Sequence, residues 1–322
     1  MNAQTKHMMD FLEANYEELV TYHLNQDEKI FLGEKDNRVC RFCKKDSTQT
    51  TFKTVAHAIP EFVGNKKLIA HYECDECNAK FSRLLESHMG NYMNLWHTFS
   101  QVRGKKKVPS FKTVAEKSRV DIKENVEIKE FEDDSIVKID EENKSISISA
   151  KRRSYVPIAI YKTLTKMALT IMPESELNKF KRTLAWINEE DHEDSPHDLK
   201  ALKVLFSFAP GIKPFPFVSC MLFKRKDEHR DSVPYMQFLL AYSNFTFQIY
   251  IPLCTEDIKL QGGNMTMTYV PTPLDFKGVK LTRKQLDMNG KEKIKDEEET
   301  VTLGFEEMNE TDLSNNSNEE EK

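Results

Sequence analysis

The chain predicts an α+β fold in two unequal parts, and three observations point there. Two Cys-x-x-Cys pairs, Cys40/Cys43 and Cys74/Cys77, stand 30 residues apart in the first third of the sequence. From Asn78 onward, Phe81, Leu84, Leu85, His88, Met89, Tyr92 and Leu95 recur at the spacing of one helical face. After residue 200, four apolar runs (ALKVLFSFAP, FPFVSCMLF, PYMQFLLAY and NFTFQIYIPL) are bounded by Pro, Gly or Asn, which is the pattern of buried strands in an antiparallel sheet.

The bulk numbers fit such an organisation. At 322 residues the chain is long enough for two cores. A hydrophobic fraction of 39% and a charged fraction of 31% describe a polar protein. No apolar run approaches the roughly 18–20 residues that a membrane helix needs. The opening MNAQTKHMMDFLEANYEELV carries acidic residues where a secretory leader would be basic and then apolar. A cytoplasmic protein without a membrane segment is therefore expected. The net charge of −5 divides unevenly: from Leu286 on there are 13 acidic and four basic residues, a net of −9, which leaves +4 on the body. A mildly basic body is compatible with nucleic-acid binding.

Taken in order, residues 1–35 predict a helix and a link, the helix covering 8–25 on the spacing of Phe11, Leu12, Tyr16, Leu19, Val20 and His23. Residues 36–102 form the cysteine-framed unit. Within it, QTTFKTVAH (49–57) alternates as a strand does, IPEFVGNKK turns, and LIAHYE supplies a second short strand ahead of the helix. The result is a compact ββα unit. RGKKKVPSFK (103–112) holds Gly, Pro and five basic residues, and it reads either as a solvated boundary or as a phosphate-contacting loop. A second, α+β domain spans 113–285: a β-meander over 118–150, an amphipathic helix over 156–172, a further helix after Pro173, and the antiparallel sheet. Residues 286–322 are acidic and polar and are expected to be a disordered tail.

The cysteines carry the first chemistry. In a reducing compartment, paired C-x-x-C motifs bind metal more often than they form structural disulfides. Two knuckles offer four thiolates, a complete tetrahedral shell for zinc, so Cys40, Cys43, Cys74 and Cys77 are expected to hold a structural ion with no open position. Cys220 and Cys254 sit inside apolar runs and read as small buried hydrophobes. His57 ends the first strand just ahead of the Pro60 turn, and Asn78, at the start of the helix, offers an amide oxygen suited to a hard cation.

In combination, CRFC, VAHAIPEFVGN and CDECNAKFS resemble the zinc-stapled, four-cysteine branch of the HNH (ββα-metal) endonucleases, over about residues 36–95. The resemblance implies metal-dependent hydrolysis of phosphodiester bonds, with His57 as general base and Asn78 helping to hold a Mg²⁺ or Mn²⁺ ion. One position departs from the pattern. Where many members carry a metal-binding acid just before the histidine, this chain has Ala56. Glu86 on the helix is the carboxylate expected to join Asn78 on the divalent ion in place of that acid; Glu61 on the turn is the less favoured substitute, and Ser82 a weaker ligand. Asn65 stands where the family often has an asparagine bracing the loop, and it reads equally as an ordinary Gly-Asn turn residue. The partners so implied are DNA, with no residue separating it from RNA, and a second copy of the chain or a protein of an anti-phage defence system. The second domain would regulate the nuclease. The alternative is a non-catalytic zinc module that binds nucleic acid or protein, for which Ala56 is the main support.

Overall fold

A computed structural model describes residues 2–25, 27–105, 107–113, 115–192, 199, 201–226, 232–260 and 265–311. Helix α1 (Ala3–Asn15) is capped by the Asn2 side chain, which accepts from the Thr5 amide at 2.8 Å. It ends much earlier than the helical spacing suggests. Tyr16–His23 is a strand, β1, paired antiparallel with a strand some 200 residues later. The helix expected over 8–25 is thus a helix followed by a strand, because that distant pairing outweighs the local period.

The strands that follow are β2 (Ile30–Leu32), β3 (Leu68–Ala70), β4 (Phe111–Lys112), β5 (Arg119–Ile122), β6 (Val126–Lys129), β7 (Val137–Asp140), β8 (Ser145–Lys151), β9 (Lys203–Phe208), β10 (Phe215–Arg225), β11 (Met236–Ser243), β12 (Phe245–Tyr250), β13 (Thr282–Asp287) and β14 (Glu298–Gly304). Among the described residues the largest sheet has six strands in the order β1-β10-β11-β12-β9-β13, all antiparallel. The four apolar runs after residue 200 are its middle. The expected meander over 118–150 is divided between two small sheets, β4-β5-β6 and β14-β8-β7. Strand β14 lies within the stretch expected to be disordered. Its Val301 is buried, while Thr300 and Thr302 meet the hydroxyls of Ser149 and Ser147. Residues 312–322 of that stretch lie outside the described residues.

The helices explain how the parts join. Helix α2 (Asp75–Phe81) runs through a π turn (Ser82–Glu86) into α3 (Ser87–Phe99). Helix α4 (Pro157–Ile171) starts with proline at its first turn, and all of its residues are buried. A helix buried on every side must be covered on every side. The π turn and α3 pack on it from the cysteine unit, β11 and β12 from the large sheet, and the later helix Lys181–Asn188, beyond a short helix at Glu174–Leu177, closes another side. One continuous apolar cluster therefore runs from Cys40 and Phe81 through Leu164 to Phe238 and Phe247. No helix among the described residues is long and apolar enough to cross a membrane.

Candidate metal centre and active site

The first knuckle is a tight turn. The Lys44 amide donates to the Cys40 carbonyl at 2.9 Å, the Cys40 amide to the Lys45 carbonyl at 2.8 Å, and Lys44 itself takes a left-handed φ of 63°. The second knuckle is a helix start, with Cys74 as the N-cap of α2. The sulfurs of Cys40, Cys43, Cys74 and Cys77 all lie within 4.8 Å of one another, and Cys43 Sγ is 3.7 Å from Cys74 Sγ. A Zn–S distance of about 2.3 Å places tetrahedral sulfurs about 3.8 Å apart, so the cluster has the size of a zinc shell. Electrostatics agree. The hydrogen bond from Cys77 holds the Cys40 thiol down, to about 4, and the same contact pushes Cys77 up. Sulfurs this close can all become thiolates only around a cation.

The hairpin between the knuckles is shorter than the alternating sequence suggests. Only 56–58 pairs with β3: the Ala58 amide donates to Leu68 O at 3.0 Å, the Ala70 amide to Ala56 O at 2.9 Å, and His57 faces Ile69. Residues 49–55 form no strand. The amides of Lys53 and Thr54 donate instead to the Asp75 carboxylate, which ties this loop to the start of α2. Past the hairpin strand, Asn65 does brace the turn. It is buried, its amide donates to Ile59 O and Leu68 O, and its oxygen accepts from the Lys67 and Leu68 amides. The ββα order expected between the knuckles is thus present in reduced form, with β2 added parallel on the far edge of β3.

His57 is half-buried on this hairpin. Burial holds its imidazole below the ordinary histidine value; Glu61 opposes that, and Lys166, Lys29 and Lys105 add to it. The ring is consequently neutral at pH 7, the form that accepts a proton. Asn78 follows Cys77 on α2, partly exposed, and its side-chain amide makes no hydrogen bond among the described residues. Residues 40–94, which hold the knuckles, His57, Asn78 and Glu86, match a family model described as HNH endonuclease. By this match the segment is of the HNH type. No curated protein and no solved structure matches the chain significantly.

The HNH segment treats the two substitute carboxylates differently. Glu86 Oε1 lies 3.4 Å from Lys166 Nζ, so its charge is already answered. The π turn also breaks the helical register between Asn78 and the residues of α3. Glu61, on the short turn Glu61–Val63, has no ion pair among the described residues and is the carboxylate that acts on His57. Ser82 is exposed at the start of the π turn. His88 accepts the Val156 amide at Nδ1 and His71 stacks on Phe31, so both have structural partners.

Two residues of the interface with α4 escaped sequence reasoning. Arg41, the arginine of CRFC, is buried against the end of α4 and donates from Nη1 to the carbonyls of Leu169, Thr170 and Met172, each at 2.8 Å. Those carbonyls are the free acceptors at a helix C-terminus, where a cation is favoured. Lys166 is fully buried and reaches Glu73 Oε2 at 3.0 Å as well as Glu86. Burial pushes Glu73 up to about 7 and Lys166 pulls it back, while the two carboxylates hold Lys166 above its ordinary value. At a 3.0 Å separation we take the ion pair as the neutral-pH state.

Proposed function

We propose that the chain is a metal-dependent endonuclease that hydrolyses phosphodiester bonds in nucleic acid, with DNA as its substrate. The observation that carries this reading is the HNH match over residues 40–94 joined to a half-buried histidine on the hairpin, whose imidazole burial holds below its ordinary value. His57 acts as the general base, taking a proton from the attacking water. Asn78 and Glu61 are oxygen donors of the kind that Mg²⁺ or Mn²⁺ takes, and neither is engaged by another side chain as Glu86 is by Lys166. Bound there, a divalent ion would supply positive charge to the scissile phosphate. The four cysteines hold the frame and take no part in the reaction. The second domain governs the module through α4, to which Arg41 and Lys166 fasten it.

A second reading, a zinc module that binds without cutting, is favoured by Ala56, which is buried where an acidic ligand is often found. Supercoiled plasmid separates the two. With Mg²⁺ or Mn²⁺ the purified chain is expected to convert it to nicked or linear forms, and EDTA to stop the conversion. Plasmid and RNA left intact with every divalent ion tried would favour the binding module.

A further inference from the structure

The basic stretch that follows α3 builds a cavity that the nuclease reading leaves unused. Its volume is about 400 Å³, and its lining includes Arg103, Lys107, Arg119, Lys123 and Lys213 against the single carboxylate of Asp121. That carboxylate is already engaged by Arg119 and by Ser110 Oγ. Lys123 pairs with Glu127 at 2.8 Å. Arg103, Lys107 and Lys213 are exposed and have no ion pair among the described residues. Like charges gathered around one concavity repel one another and focus a positive potential into it. An anion sharing the space would relieve that repulsion.

The cavity is held in shape by its backbone. Gln101 and Lys213, both on its lining, take left-handed φ values of 50° and 47°. Non-glycine residues keep such strain where the surroundings fix them, and these places cluster at binding sites. The loop bearing Lys213 is pinned by Asn244, whose amide donates to Ala209 O at 2.8 Å and to Gly211 O at 2.7 Å. The same basic stretch lies against the HNH hairpin. A methyl group placed on Gly104 would stand 3.8 Å from the Glu61 carbonyl and the Phe62 Cα, and Lys66 Nζ donates to Lys105 O at 3.3 Å. The cationic lining thus begins at the turn that carries Glu61.

We infer that this cavity is a docking site for the phosphodiester backbone of the nucleic acid that the HNH module acts on, holding a stretch of strand to one side of His57. The inference rests on the nucleic-acid reading of that module and adds a second place of contact to it. Contacts of this kind fix position and not sequence, and they make binding depend steeply on salt.

The test is fluorescence anisotropy with labelled duplex DNA, repeated with RNA, in the absence of divalent ions so that nothing is cut. Lys107→Glu/Lys213→Glu is expected to weaken binding by at least about tenfold near 0.1 M salt and to lower the slope of log affinity against log salt by about 2. Lys6→Glu serves as the control. It reverses an exposed charge on α1, at the Arg225 end of β10, whereas Lys213 lies at the Phe215 end. Its affinity should stay within about twofold of wild type, as expected for a cation that touches no phosphate. The inference is overturned if the double variant binds as tightly as wild type, or if wild type binds neither nucleic acid. It is also overturned if ATP or tripolyphosphate binding is lost in the variant while duplex binding is unchanged, which would make the cavity a small-anion site. A chain that binds through this cavity yet never cuts upholds the docking site and rejects the nuclease reading, so the two failures are distinct.

Discussion

Replacing Cys74 by serine is expected to strip zinc from the chain and unfold residues 40–94. Cys74 is fully buried, caps α2 and places its sulfur 3.7 Å from that of Cys43. A hydroxyl in its place is a poor zinc ligand, and three thiolates do not close the tetrahedron. Metal binding in small structural zinc sites is worth about 10–16 kcal/mol of folding free energy, more than the whole stability of most domains. Elemental analysis should fall from about one zinc per wild-type chain to a small fraction of that. Limited proteolysis should open first between the knuckles. The sheet need not follow, since its own strands pair antiparallel without the module, apart from the contacts made through α4. A Cys74→Ser chain that keeps a full zinc and resists protease would rule out the four-thiolate centre.

Lys166→Met carries the next largest effect. The ammonium lies fully buried between Glu73 at 3.0 Å and Glu86 at 3.4 Å, and Glu73 has no exposed side-chain surface. Removing one partner of a buried ion pair leaves the other charge without compensation, at a cost of about 3–5 kcal/mol. Methionine keeps the length of the stem, so packing against Phe42 and Phe81 is largely retained. Urea unfolding should register that loss. Lys166→Met/Glu73→Gln should recover a good part of it, because the charge that most needed the lysine is gone. If the single variant unfolds at the wild-type midpoint, or the double variant is no better than the single, the ion pair does not fasten the module to α4.

What the sequence could reveal follows from how local each signal is. The knuckles are local and chemically specific, and they stand where their spacing put them. Helix α4 was legible from its apolar period, but the exposed face expected of an amphipathic helix is covered and all of its residues are buried, while the four buried strands show their turn residues. By contrast, β1 was hidden because Tyr16, Leu19, Val20 and His23 also fit a helical face, and its partner β10 lies far along the chain. The 49–55 stretch alternates like a strand, yet the Asp75 carboxylate takes its amides. Strand β14 looked like an acidic tail because its glutamates mask the pattern Thr-Val-Thr-Leu, which suits an edge strand with one buried valine.

The candidate site divides in the same way. The positions of His57 on the hairpin and of Asn78 on α2 follow from the motif's short-range geometry, as do the bonds Asn65 makes within its turn. The sequence favours Glu86 over Glu61, and that weighing changes in the structure. The change turns on Lys166, which stands 80 residues beyond Glu86 in the chain and would be read, taken alone, as a solvated helix charge. Arg41 was equally silent, being one basic residue inside a knuckle until α4 supplies its carbonyls from 128 residues away.

The central claim is that His57 performs general-base chemistry in a frame held by zinc. Single-turnover cleavage of a labelled DNA by wild type and His57→Ala, under Mg²⁺ or Mn²⁺, tests it most directly when zinc content and thermal unfolding are measured on the same samples. The expected result is a rate lower by at least about 100-fold in the variant, with zinc and stability unchanged. Cleavage by His57→Ala within a few-fold of wild type would contradict the claim and place the base elsewhere.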